Sequence, residues 1–266
     1  MRVAVIGCGT LGRAVVEGLR KEPEHYALVA VTARSAATCE ILNERFSVFS
    51  TTDNVAACER ADLVVLAVKP SAVEGVLSAP GMVDAMAGRL LVSVAAGVTL
   101  AQIQTWSPHA KAVRAMPNTP CRIGEGMTVV SPSEGLDDAA IASAAGIFRS
   151  VGRVRILDER HLDAVTGLSG SGPAFVFVLL EALADGGVRM GLPRDVAVEL
   201  AAQTMQGAAK LVLQSGEHPA ALKDDVTTPA GCTIAGLLMM EDGRIRSTMA
   251  RTIEEATNVA AGLGDR

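Results

Sequence analysis

Six residues near the start constrain this chain more than any others: Gly7-Cys8-Gly9-Thr10-Leu11-Gly12. They follow the strand-like run Val3-Ala4-Val5-Ile6 and open a segment whose Leu11, Ala14, Val15, Gly18 and Leu19 fall at helical spacing. Gly7 permits a tight turn, Gly9 lets a pyrophosphate approach the backbone, and Gly12 lets helix and strand pack closely. The free N–H groups of the helix start face the anion. The plainer alternative is a glycine-rich turn that binds nothing. The strand–loop–helix setting weighs against it.

The pattern then repeats. Up to about Asp158, short β-branched runs at 3–6, 28–32, 63–68, 90–94 and 113–116 alternate with amphipathic helical segments. That is the pattern of an α/β, doubly wound and mostly parallel sheet covered on both faces. Further edge strands are expected at 127–130 and 154–157. They read as having little helix between them, which suggests an antiparallel edge. After Asp158 the strand signals stop. Helices separated by Gly and Pro are expected at 173–190 and 193–214, with a short one after Pro219 and two more after Pro229 and Gly243. The expected domains are therefore 1–158, binding the dinucleotide, and 159–266, all-α. Residues 173–184 are apolar almost all round, so that helix must be buried in a domain core or between subunits.

Composition narrows the partners. A net charge of −5 without a long basic run argues against nucleic acid. Aromatics are 3% of the chain, so the core must be built from Ala, Val, Leu and Met. The five cysteines are far apart, with no Cys-x-x-Cys pair or Cys/His cluster, so reduced thiols in the cytoplasm and no metal site are expected. Met1-Arg2 passes straight into Val3-Ala4-Val5-Ile6 without the longer apolar stretch and cleavage site of a secretory signal, so none is expected. The apolar run at 173–180 stops at Glu181, too short to span a bilayer, and a soluble protein is expected.

Three places bear on chemistry. The second strand runs into Val31-Thr32-Ala33-Arg34-Ser35, without the acid that NAD enzymes usually place there for the ribose 2′-hydroxyl. Arg34 and Ser35 suit a 2′-phosphate instead, and the missing carboxylate favours this over a merely solvated Arg34. NADP(H) is the expected cofactor, with NAD(H) the alternative. After the run at 63–68, Lys69-Pro70 reads either as a contact to ribose or phosphate or as a surface lysine before a helix. Thr227-Thr228-Pro229-Ala230-Gly231-Cys232-Thr233 leads into another helical pattern. It is either a carboxylate site made of backbone N–H groups with the Thr233 hydroxyl or an ordinary Thr cap on a helix, and spacing alone favours the cap. Leu168-Ser169-Gly170-Ser171-Gly172-Pro173 reads as a second small-residue loop where something packs very close. His25, His109, His161 and His218 all read as surface residues.

These two loops also carry a resemblance. Gly167-Leu168-Ser169-Gly170-Ser171-Gly172-Pro173-Ala174, Glu181-Ala182-Leu183-Ala184-Asp185-Gly186-Gly187-Val188 and Met190-Gly191-Leu192-Pro193 closely resemble the pyrroline-5-carboxylate reductase family. So does 226–237, which looks like that family's signature segment. Leu66-Ala67-Val68-Lys69-Pro70, Ala95-Ala96-Gly97-Val98 and Met116-Pro117-Asn118-Thr119-Pro120 are similar too, in the right order across nearly the whole chain.

The resemblance implies an N-terminal Rossmann domain joined to an all-α C-terminal dimerisation domain. Dimers interleave, making a homo-oligomer with the dimer as its minimal unit. It implies hydride transfer from NAD(P)H to a cyclic imine, 1-pyrroline-5-carboxylate, giving L-proline in the last step of proline biosynthesis. By position, Gly7 through Gly12, Arg34, Ser35, Asn54, Ala67, Val68, Lys69 and Pro70 would line the cofactor, with Ala95, Ala96 and Gly97 by the nicotinamide. Ala230, Gly231, Cys232 and Thr233 would hold the substrate carboxylate, and Thr233 would hydrogen-bond the imine nitrogen as the catalytic residue. Phe175 stands where the family commonly shows Tyr, and Ala230 and Cys232 replace commoner Gly and small or Thr residues. Two other readings remain: a reductase of another cyclic imine acid or a β-hydroxyacid, and a non-catalytic NADPH-binding regulatory module. The hydroxyacid version would want a Lys or His near the start of the helical domain, and Ser169-Gly170-Ser171-Gly172 offers neither.

Overall fold

In the computed structural model, which describes residues 1–263, eight strands form one sheet in the order β3-β2-β1-β4-β5-β6-β7-β8. They are β1 (Arg2–Ile6), β2 (Ala27–Thr32), β3 (Phe49–Thr51), β4 (Leu63–Leu66), β5 (Leu90–Ser93), β6 (Lys111–Met116), β7 (Gly126–Pro132) and β8 (Gly152–Ile156). From β3 to β6 every neighbouring pair is parallel. The chain order reverses between β1 and β4, which makes the carboxyl ends of these two strands the switch point. Every residue of β4 and β5 is buried, as expected of strands covered on both faces.

The covering helices are α1 (Thr10–Leu19), α2 (Ala36–Phe46), α3 (Asn54–Cys58), α4 (Val73–Leu77), α5 (Met82–Met86), α6 (Leu100–Trp106) and α7 (Asp138–Arg149). On one face Val15 and Leu19 of α1, Leu42 and Phe46 of α2, and Ile147 and Phe148 of α7 close over Val3, Val5 and Val65. On the other, Ala57, Val73, Leu77, Met82, Met86 and Ile103 close over Ala4, Ile6, Val64 and Leu66. Each fully buried aliphatic side chain contributes about 1.5–3 kcal/mol, so the two layers hold the sheet mostly with aliphatic side chains, joined by Phe46 and Phe148.

Two features differ from the sequence reading. Strand β3 has only three residues, too few to show a period. The late strands are not joined with little helix between them. Helix α7, capped by the Asp137 carboxylate on Ala140 N–H, lies between β7 and β8, and those strands pair in parallel. The antiparallel pair is β6 with β7, whose short connection needs no crossover.

Beyond β8 the chain is helical from Glu159 to Gly170 and, past a bend at Ser171, again from Gly172 to Arg189. This stretch holds a 3-10 turn (Glu159–His161), α8 (Leu162–Val165), a π turn (Thr166–Gly170) and α9 (Gly172–Arg189). The segment read as a small-residue loop is therefore a widened helical turn. Ser171 N–H reaches the Thr166 carbonyl at 2.8 Å, and Thr166 Oγ1 donates to the Leu162 carbonyl at 2.7 Å. Serine and glycine signal a loop by composition, but here the turn is held by its own i→i+5 bond. By length and composition alone the stretch could cross a membrane, with a mean hydropathy of 1.5.

Contacts divide the chain into two compact units. The first comprises Met1–Ser171 and the chain from Glu254 onward, and the second is Gly172–Ile253. The second holds α9, α10 (Arg194–Ser215), α11 (Pro219–Asp225), α12 (Cys232–Asp242) and the beginning of α13 (Ile245–Ala261). Helices α9 and α10 pack through small residues: a Cβ at Gly187 would lie 3.2 Å from that of Ala197. Within this unit Ala184, Ala197 and Ala201 are buried, whereas Phe177, Val178, Leu183, Leu238 and Met239 are exposed. Among the described residues the apolar helix is thus only partly covered, and much of its apolar surface stays exposed.

Candidate active site

The residues expected to meet a dinucleotide come from five separate stretches, and the fold gathers them along one edge of the sheet. Gly7 to Gly12 follow β1, Arg34 and Ser35 follow β2, Asn54 follows β3, Ala67 to Pro70 follow β4, and Ala95 to Gly97 follow β5. All five strands are parallel, so all five segments leave from their carboxyl ends.

The three glycines of the first turn are there for different reasons. Gly7 has φ +87°, and a Cβ there would lie 2.7 Å from Val68 Cγ1 and 2.8 Å from the Ala67 carbonyl oxygen. A Cβ at Gly12 would meet the Gly7 carbonyl oxygen at 2.5 Å. At Gly9 nothing lies within 4 Å of where a Cβ would be, and its φ of −77° suits any residue. Nothing in the protein itself requires glycine at Gly9. The open space above it, beside a helix start that no side chain caps, is room for a ligand phosphate. Thr32, which the sequence reading passed over, ties this loop to the next strand. Its hydroxyl accepts from Gly7 N–H at 3.2 Å and its carbonyl from Cys8 N–H at 2.9 Å. Burial pushes the Cys8 thiol up to about 11 despite Arg13 nearby, so Cys8 offers its backbone and no thiolate.

Arg34 is exposed and makes no ion pair among the described residues. Ser35 is the cap of α2: its hydroxyl accepts from Thr38 N–H at 3.3 Å and lies 2.9 Å from the Thr38 hydroxyl. Asn54 opens α3 behind the capping Asp53. Lys69 is exposed and precedes the 3-10 turn Pro70–Ala72. An unpaired guanidinium next to a helix start is a ready partner for a 2′-phosphate. Arg34→Ala should therefore weaken NADPH by about 1–3 kcal/mol and leave NADH nearly unchanged. Fluorescence titration with both cofactors checks this, and equal losses would remove the phosphate role.

The loop after β5 is held at both ends. Ala95 N–H reaches Ser93 Oγ at 3.4 Å, and Gly97 turns the chain with φ +78°. Thr99 and Gln102 then form a capping box at the start of α6. Ala95 and Gly97 are buried and Ala96 is partly so. This is a smooth apolar wall, suited to the face of a flat ring.

In the second unit the segment 227–233 forms a tight turn. Gly231 N–H bonds the Thr228 carbonyl at 3.1 Å, with Pro229 and Ala230 at its corners. Such a turn asks for a left-handed residue after proline, and Ala230 takes that place with φ +56°. A side chain at Gly231 would strike the Thr228 hydroxyl. Gly231, not Thr233, is the cap residue of α12, and no side chain caps that helix start. Thr233 sits one position inside α12, partly buried, and its hydroxyl has no hydrogen-bond partner among the described residues. The ordinary-cap reading is thereby set aside. Cys232 is exposed beside it. Because alanine is strained in the left-handed region, Ala230→Gly should raise stability by about 1 kcal/mol. A urea midpoint that falls instead would show that the methyl group makes compensating contacts.

The four histidines are exposed, and His218 serves α11 by accepting from Ala220 N–H at 3.2 Å. The sequence reading missed Asn118, just past β6. Its side chain accepts from Met127 N–H at 2.8 Å and donates to Ser169 Oγ, on the π turn, at 3.3 Å.

A doubly wound sheet of this order, with a glycine turn open to phosphate at its switch point, defines a nicotinamide-dependent oxidoreductase of the Rossmann type. Comparison with known proteins narrows the class. Residues 2–97 match the family described as "NADP oxidoreductase coenzyme F420-dependent", and residues 159–263 match "Pyrroline-5-carboxylate reductase dimerisation". A pyrroline-5-carboxylate reductase of Schizosaccharomyces pombe is 41% identical over 98% of both chains. The solved structure of a pyrroline-5-carboxylate reductase from Coxiella burnetii superposes with a TM-score of 0.90 at 33% identity, covering 98% of this chain and 97% of that one. That of a pyrroline carboxylate reductase from Plasmodium falciparum with NADP bound gives 0.87 at 26%, covering 99% and 98%. The chain belongs to the pyrroline-5-carboxylate reductase family.

Proposed function

We propose that the protein reduces 1-pyrroline-5-carboxylate to L-proline with NADPH. The family likeness carries this reading, because it runs unbroken through both units. Residues 1–158 bind the dinucleotide, and 159–266 bind substrate and dimerise.

The roles follow from the chemistry of each place. Bound NADPH supplies the hydride that saturates C5 of the imine. Gly7, Gly9 and Gly12 leave room for the pyrophosphate, the amides of Thr10 and Leu11 receive it, and Cys8, its N–H bonded to the Thr32 carbonyl, holds the turn in place beneath it. Arg34 and Ser35 take the 2′-phosphate, Asn54, Ala67, Val68, Lys69 and Pro70 line the ribose and phosphates, and Ala95, Ala96 and Gly97 flank the nicotinamide. The amides of Ala230, Cys232 and Thr233 hold the substrate carboxylate, while Gly231, its N–H spent on the Thr228 carbonyl, shapes the turn that presents them. The Thr233 hydroxyl orients the ring nitrogen. A protonated imine carries its own proton, so this chain needs to place the substrate rather than donate a strong acid.

Dimerisation explains the second unit. Phe177 is 65% exposed and Met239 71% in the single chain. A second copy of the chain covers this face, and that occupant accounts for the apolar stretch 159–189 better than a membrane does. Light scattering should report at least twice the chain mass, and Phe177→Asp should dissociate the assembly. A wild-type monomer that turns over would sink the idea. The protein works in the cytoplasm on a small molecule, without nucleic acid.

One assay tests the function as a whole. NADPH oxidation should be fast with pyrroline-5-carboxylate and slower with its six-membered homologue. The reverse order would give the second reading, a reductase of another cyclic imine acid, and assign Phe175 and Ala230 the altered preference. Turnover of neither would leave a regulatory module.

A further inference from the structure

We infer that Glu159, through the buried Arg114, is a positioning residue for the nicotinamide half of the cofactor and for no other part of it. The inference rests on the reading that Ala95 to Gly97 flank the nicotinamide.

Arg114 lies in the middle of β6 and is only 2% exposed. In register it stands between Ser93, the last residue of β5, and Ser131 of β7, both fully buried. Those two hydroxyls do not serve it: Ser93 Oγ accepts from Ala95 N–H, and Ser131 Oγ donates to the Leu157 carbonyl. Its partners come instead from the helical segment after β8. Arg114 Nη1 donates to Glu159 Oε1 at 3.1 Å and Nη2 to Asp163 Oδ1 at 3.5 Å. Its Nε is buried with no partner. A buried guanidinium incompletely satisfied is costly, and a purely structural strand position would be served better by an aliphatic side chain.

What the arrangement secures is the loop. The same Glu159 Oε1 accepts from Leu100 N–H at 2.7 Å, the first amide of α6 and the residue just after the capping Thr99. One carboxylate oxygen thus joins the end of the 94–99 loop to the strand beside its beginning. Ala96 also packs against the small core cluster of Met116, Val129 and Leu162, to which the segment that carries Glu159 contributes Leu162. The loop is clamped at Ser93–Ala95 on one side and at Glu159–Leu100 on the other, with Gly97 turning between them. Nothing in this network touches the glycine turn after β1 or the segments after β2 and β3. Loosening it should release the nicotinamide wall and leave the adenosine end intact.

The test separates the two halves of the cofactor. Calorimetric titration compares NADP⁺ with adenosine 2′,5′-bisphosphate, which carries the adenosine and 2′-phosphate but no nicotinamide, on wild type, Glu159→Ala and Glu159→Gln. The Ala variant should lose about tenfold in NADP⁺ affinity while the bisphosphate changes by less than about twofold. The Gln variant keeps an oxygen for both donors and should restore most of the NADP⁺ affinity. Retained bisphosphate binding doubles as the control that the sheet has folded. Parallel loss of both ligands, or no loss of either, overturns the positioning role. Failure of the wild-type protein to bind the bisphosphate would instead overturn the cofactor reading on which the inference stands.

Discussion

Gly9→Val should leave the protein folded and cost it NADPH almost completely, on the order of 100-fold or more in affinity, which is about 2.7 kcal/mol or above. The expectation comes from the contrast among three glycines. At Gly7 and Gly12 the protein's own atoms occupy the place a side chain would take, so substitution there should disturb the loop itself. At Gly9 that place is empty and the backbone is ordinary, so a valine fits the free protein. The only folded-state cost is a poorer helix cap, about 1 kcal/mol or less, and α1 keeps its burial against the sheet. What the isopropyl group removes is the approach of a pyrophosphate to the amides of the helix start. Thermal melting without ligand should therefore barely move, while the rise in melting temperature that NADPH gives the wild type should vanish. Gly12→Val serves as the opposite control, losing stability with or without cofactor. A Gly9→Val protein that binds NADPH normally would show that the dinucleotide does not pass over this turn.

The split between legible and hidden features has a physical cause. What is local in the chain could be read from it. The glycine turn, the missing acid after the second strand and the helices of the second half depend on residues a few positions apart, and the structure places all of them as elements of the expected type. What depends on distant partners could not be read. The alternation of Lys111-Ala112-Val113-Arg114-Ala115-Met116 does mark Arg114 as pointing into the same face as Ala112 and Met116. Nothing in the sequence says that its carboxylate partners come from residues 159 and 163. The π turn was hidden for the opposite reason. Leu168 to Pro173 have the composition of a loop, and only the backbone bond from Ser171 N–H to the Thr166 carbonyl reveals a helical turn there. Likewise Thr233 resembled a cap because threonine before an apolar helix usually is one. The turn from Thr228 shifts the cap to Gly231 and leaves the threonine hydroxyl free.

That free hydroxyl sets up the other large effect. Thr233→Ala should lower kcat by roughly 10- to 100-fold, the worth of a hydrogen bond that holds the charged ring nitrogen oriented for hydride transfer, with the Kd for NADPH unchanged within about twofold. The alanine removes no cap and strands no partner, since Thr233 Oγ1 bonds nothing among the described residues and Gly231 occupies the cap position. Stability should therefore hold, or rise slightly with alanine's better helix propensity. Thr233→Ser keeps the hydroxyl but frees its rotation, and should retain part of the lost turnover. Thr233→Val preserves the branched shape without the hydroxyl and should behave like alanine, which separates the hydroxyl from the space it fills. Stopped-flow measurement of a single turnover would place the loss in the chemical step rather than in product release. If alanine and valine both turn over at the wild-type rate, the substrate is held by the backbone amides of the loop alone, and the hydroxyl at Thr233 has no part in the reaction.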